Sequence, residues 1–174
     1  LNHKGNEFGC PLDIGEEGGK DSRVIFFANP WISQLMPEER ADAVQFFFRK
    51  RQFSIVAALV EECQKNGKVL EREILALANS YMRLRVYDKA MLAFQQLYSE
   101  QKGGQNVMKG LADSMFMLRM FKEAAEIYAK LMLMDGRNTA YVMYHSLSLI
   151  NSGEAQKGLE DLFRLDYQHP DNPN

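Results

Sequence analysis

Apolar residues return along most of this chain at offsets of 3, 4 and 3, and the whole set returns every 34 residues. One column of positions reads Phe53, Tyr87, Phe121 and Ala155, and three residues later stand Val56, Ala90, Ala124 and Gly158. Four further on come Val60, Phe94, Tyr128 and Leu162, and three beyond those Cys63, Leu97, Leu131 and Leu165. Such offsets place all four columns on one face of a helix. A second set, Ala43, Leu77, Leu111 and His145 followed by Phe47, Tyr81, Met115 and Leu149, marks another helix earlier in each unit. The units are 37–70, 71–104, 105–138 and 139–172, in step without insertion or deletion. Each predicts a helical hairpin with a buried seam, and the small residue of the Ala90 column lets the two helices come close. A single hairpin cannot bury both its faces, so the four must stack.

The punctuation agrees with this period. No proline stands between Pro37 and Pro170, and a proline inside a helix costs about 3 kcal/mol. Asn66-Gly67, Gly103-Gly104 and Asp135-Gly136 are predicted to supply the left-handed residue that ends a helix. Residues 1–36 stand outside the repeat and hold five of the twelve glycines, at positions 5, 9, 15, 18 and 19. Within them, Ser22 to Phe27 reads as a short strand or extended segment, and Asn29-Pro30 starts a short helix through Leu35. This irregular segment, with Trp31, Ile32 and Leu35, is expected to cover the first hairpin; the competing expectation is that it lies in the groove as an internal ligand.

The second unit carries Leu77, Ala78, Tyr81, Ala90 and Phe94, and the third Leu111, Ala112, Ala124 and Tyr128. These residues resemble the tetratricopeptide repeat family, whose 34-residue unit runs W-x2-L-G-x2-Y, A-x3-F and a late proline. The fourth unit is degenerate, with Gly153, Gly158, Leu162 and Pro170, and the first keeps Phe47 and Val60 but has Val56 where alanine is usual. The resemblance implies an all-α fold, a right-handed α-solenoid of about four such hairpins, with the first helix of each lining a concave groove. By that resemblance the groove presents Arg49, Arg72, Asn79, Met82, Arg83, Lys109, Asp113 and Phe116. Guanidinium groups beside adaptable Met and Phe surface suit a protein or peptide ligand with acidic and apolar side chains. Members that clamp a C-terminal carboxylate use Lys and Asn at set columns; here Asn79 fits, but Leu75, Gly110, Ala140 and Tyr144 occupy the others. The clamp is incomplete and its ligand is not expected.

Charge and chemistry narrow the function further. The 174 residues carry 21 Lys and Arg against 23 Asp and Glu, a net charge of −2. Units 37–174 balance at 18 against 18, which argues against a nucleic-acid partner tracked by its phosphates. No apolar run approaches the roughly 18 residues of a membrane span. Cys10 and Cys63 are too few and too far apart for a disulfide framework or zinc site, and as free thiols they point to a reducing, cytoplasmic compartment. No nucleotide loop, nucleophile elbow or metal-ligand pair occurs. Gly15-Glu16-Glu17-Gly18-Gly19 would repel phosphate, and His145 falls on a seam column as a core histidine. No cofactor and no enzymatic activity are expected. The chain starts at Leu1, and Asp171-Asn172-Pro173-Asn174 looks like the threshold of a fifth unit. The expectation is therefore a non-catalytic interaction scaffold, a fragment of a longer repeat protein or one that pairs as a homodimer through its open C-terminal end. The alternatives are a secretion-type chaperone of the same family and a regulatory module of a larger enzyme.

Overall fold

The computed structural model describes residues 35–67 and 69–168. The expectations for Ser22 to Phe27, for the helix start at Asn29-Pro30, for Trp31 and Ile32, and for a fifth unit beginning at Asp171 lie outside the described residues. Among the described residues the chain forms eight α-helices and no strand: α1 (Pro37–Arg49), α2 (Phe53–Asn66), α3 (Glu71–Arg83), α4 (Tyr87–Ser99), α5 (Gly104–Met117), α6 (Phe121–Met134), α7 (Thr139–Asn151) and α8 (Ala155–Gln168). The second helix of every hairpin starts one 34-residue step after the last, at Phe53, Tyr87, Phe121 and Ala155. Only Gly104 departs from the period of the first helices, because Gly103 at φ 75° starts α5 one residue early.

Local chemistry sets these boundaries. At the start of α1, Pro37 fits the first helical position, and the Glu39 carboxylate accepts the Met36 N–H at 3.2 Å. Glu73 repeats this 34 residues later, accepting the Leu70 N–H at 2.6 Å. Each first helix then ends in the same hydrogen-bonded turn. The Gln52, Val86, Met120 and Glu154 N–H groups donate to the carbonyls of Phe47, Tyr81, Met115 and Leu149, and Arg51, Arg85, Arg119 and Gly153 donate to those of Phe48, Met82, Phe116 and Ile150. That pair of bonds is a Schellman cap, which needs a left-handed residue. Here the left-handed residues are Arg51, Arg85, Arg119 and Gly153, in step with the repeat. The expectation for the glycine dipeptides is corrected accordingly: α4 ends at left-handed Gln101, Gly103 and Gly104 have positive φ but start α5, Gly67 is extended at φ 163°, and Gly136 is not left-handed.

Every helix packs on the next one in sequence, giving a helical-repeat solenoid. The first helices also touch across hairpins, α1 on α3 and α3 on α5, so those three lie side by side. In the first three units the Val56 column and the two after it are buried, with Val56, Ala90, Ala124, Val60, Tyr128, Leu97 and Leu131 at 0% exposed, whereas Phe53, Tyr87 and Phe121 are half-buried. Two glycines mark where helices come closest. A Cβ on Gly110 would lie 2.3–2.7 Å from the Phe94 ring, and one on Gly158 would lie 2.5 Å from the Ser146 carbonyl oxygen. A column absent from the sequence reading is Ser80, Ser114 and Ser148, all fully buried. Each hydroxyl donates to the carbonyl four residues back, at 2.7, 2.8 and 2.7 Å, so small polar residues fill tight interior positions with no orphaned donor.

Candidate functional site

The first helices of the first three hairpins contact one another, α1 with α3 and α3 with α5. The sequence places arginine, lysine, methionine and phenylalanine there, and the structure sorts these residues into two groups.

Most of the charged ones are engaged within the array. Arg72 on α3 reaches back to α1, where its Nη2 donates to the Glu38 carboxylate and, at 3.1 Å, to the Glu38 carbonyl, while Nη1 lies 3.4 Å from Asp42. Its Nε is enclosed without an acceptor. Lys109 donates to Asp113 at 2.5 Å across one turn of α5, and the other oxygen of Asp113 accepts the Tyr128 hydroxyl at 2.6 Å. Burial and the adjacent Asp113 carboxylate both push the Tyr128 phenol well above its ordinary pKa. Asn79 donates to the Leu75 carbonyl of its own helix at 2.8 Å. Phe116 meets Phe121 and Tyr144 edge to face, with centroids 5.4 and 5.7 Å apart, and Tyr144 stacks on Tyr128 at 5.6 Å. It packs the third hairpin onto the fourth, as half-buried Met82 packs against the central core.

A second network joins the first two hairpins on the seam side. Tyr81 and Lys89 both donate to Glu61, Lys89 at 2.7 Å, and Lys89 sits 5.4 Å over the Tyr81 ring. Burial disfavours the Glu61 charge, but the Lys89 and Tyr81 hydrogen bonds outweigh it and hold this carboxyl below its ordinary range. Deeper still, Arg40 grips Glu73 with two bonds of 2.7 and 3.0 Å; the Glu73 side chain is 0% exposed. Neither network was apparent in the sequence, because Arg40 and Glu73 stand 33 residues apart in columns of mixed character.

The remaining two residues behave differently. Arg49 and Arg83, the last residues of α1 and α3, are exposed, and with Phe48, Arg51 and Phe53 they line a cavity of about 340 Å³. None of the three guanidinium groups makes an ion pair or side-chain hydrogen bond with another described residue. Phe48 and Phe53 meet edge to face at 5.6 Å and form its apolar wall. Arg51 was missed because it sits in the turn rather than on a helix face, although its column, Arg51, Arg85 and Arg119, does repeat at 34.

His145 is half-buried, with Nδ1 3.1 Å from Asp161, and joins α7 to α8. Among the described residues no three His, Cys, Asp or Glu side chains are grouped as a metal ion requires, and no helix is long and apolar enough to cross a membrane. No family model matches the chain, and a search of curated proteins finds no match either.

Proposed function

We propose that this chain is a tetratricopeptide-like interaction module that binds a peptide segment along its layer of first helices, without catalysis. The observation that carries this reading is the contrast within that layer: Arg72, Lys109 and Asp113 are paired, whereas Arg49 and Arg83 are exposed and unpaired beside half-buried Phe48 and Met82. Unpaired guanidinium donors next to adaptable apolar surface favour acidic-apolar peptide sequences. The partly exposed pair of Lys109 and Asp113 can open toward a ligand at little cost, since such pairs contribute only about 0.3–0.5 kcal/mol.

Peptides selected on the immobilised protein from a displayed random library test the reading. Enrichment of sequences combining Asp or Glu with Leu, Met or Phe is expected, and Arg83→Ser with Lys109→Ser should weaken the selected peptides about tenfold or more. Absence of enrichment, or affinities unchanged in that double variant, would sink it.

A second surface favours association. On α8, Leu159 is 46% exposed and Phe163 71% exposed, whereas Ala57 and Ala125 in the Leu159 column are buried at 7% and 5%. The outer face of the fourth hairpin is thus open where equivalent faces are covered by the next hairpin, and pairing of two copies through α8 is part of the proposed mode of action.

A further inference from the structure

The cavity between the α1–α2 turn and the end of α3 adds Arg51 and Phe53 to residues that the peptide-groove reading already uses. Three arginines, Arg49, Arg51 and Arg83, line one space of about 340 Å³ without a carboxylate among the lining residues. Basic residues at helix C-termini are ordinarily explained by the helix dipole. That explanation covers only part of the charge here: the ends of α1 and α3 together amount to about −1, against three full positive charges. A residual charge of roughly +2 matches a phosphoryl dianion better than a single carboxylate, and its oxygens suit the guanidinium fork. The cavity is also larger than a phosphoryl group needs, and its remaining wall is the edge-to-face pair of Phe48 and Phe53. An aromatic ring fits beside such a wall. Arg85 and Arg119 continue the positive edge along the next two hairpins, both exposed, and would steer an anionic segment toward it.

We propose that this pocket takes the phosphorylated aromatic side chain of a peptide, a phosphotyrosyl group, with Arg49, Arg51 and Arg83 on the phosphoryl oxygens and Phe48 and Phe53 beside the ring. The proposal rests on the peptide-binding reading and adds the modification that peptide carries. Arg51 offers a clean variant, because its φ of 58° is one that glycine adopts readily. Arg51→Gly therefore removes a guanidinium without weakening the fold.

The test is fluorescence anisotropy with a labelled Ala-Leu-Tyr-Ala-Leu-Ala peptide in four forms: unmodified, phosphorylated on Tyr, with phosphoserine in place of Tyr, and with Glu in place of Tyr. Binding of the phosphotyrosyl form at least tenfold tighter than the unmodified and Glu forms is expected. Arg51→Gly and Arg83→Gln should each remove most of that preference, with the thermal midpoint of the glycine variant unchanged or raised. Equal affinity for phosphorylated and unmodified forms overturns the proposal, as does a preference that survives Arg51→Gly. Equal binding of the phosphoserine form overturns the role given to Phe48 and Phe53. Single-stranded RNA that binds as tightly as the phosphotyrosyl peptide, and is lost in the same variants, also overturns it. If library-selected acidic peptides still bind in a Lys109-dependent way while phosphorylation has no effect, the pocket fails and the groove reading stands. Phosphate preference with no sensitivity to Lys109 supports the pocket and overturns the extended groove.

Discussion

Arg51, Arg85 and Arg119 hold φ near +60°, a region that costs an L-residue roughly 1–2 kcal/mol. The fourth unit places Gly153 at the same point, and glycine is the residue that a Schellman cap favours. Three hairpins therefore carry strain that the fourth avoids. Replacing Arg85 and Arg119 by glycine should stabilise the protein by about 0.5–1 kcal/mol each, the relief being partly offset by glycine's freedom in the unfolded chain. Denaturant unfolding checks this, and a loss of stability in the double variant would contradict the capping account. Arg51 occupies the same strained position beside the proposed phosphoryl pocket, where its guanidinium has a binding role to set against that cost.

At the scale of elements, the junction of the first two hairpins depends on polar contacts more than the later junctions do. Arg40 on α1 and Glu73 on α3 form a paired contact in which the acid is fully buried, and Glu73 also caps its own helix through the Leu70 N–H. Removing the cation from such a pair leaves a buried charge uncompensated, at about 3–5 kcal/mol, whereas replacing both partners by apolar residues is close to neutral. Arg40→Met should thus cost about 3 kcal/mol in urea unfolding, and Arg40→Met with Glu73→Leu should recover most of it. Equal losses in single and double variants would show that the bond contributes little. The periodic columns made the hairpins themselves legible, since burial of every fourth and third residue is written directly into the pattern. They could not reveal Arg40 with Glu73 or Tyr81 with Glu61, because each contact joins residues of different columns across a packed interface.

For the whole molecule, the last hairpin of the array differs from its middle. Phe94, Tyr128, Leu97 and Leu131 are at most 1% exposed, but on α8 Leu162 and Leu165 are only half-buried and Phe163 stands open. Stacked repeats draw their stability from neighbours, so this outer face gains from a second covering surface. Sedimentation velocity should show a mass that rises with protein concentration, and Phe163→Glu with Leu159→Glu should hold the protein at the monomer mass. A wild-type protein that stays monomeric across the range excludes pairing through α8.

The number of hairpins, their 34-residue step and most of the buried seam were legible in the residue pattern, because a period that alternates three and four can bury one face only as a helix. The resemblance to tetratricopeptide repeats added eight residues of the first helices, but not what each of them does. That was decided by tertiary structure. Whether an arginine is engaged depends on which carboxylates the stacking brings within reach: Arg72 finds Glu38 and Asp42, whereas Arg49 and Arg83 pair with no carboxylate among the described residues and line a cavity with Arg51, Phe48 and Phe53. Residues alike in type on the first helices thus part company through the packing of neighbouring hairpins, a relation between distant segments that no local pattern encodes.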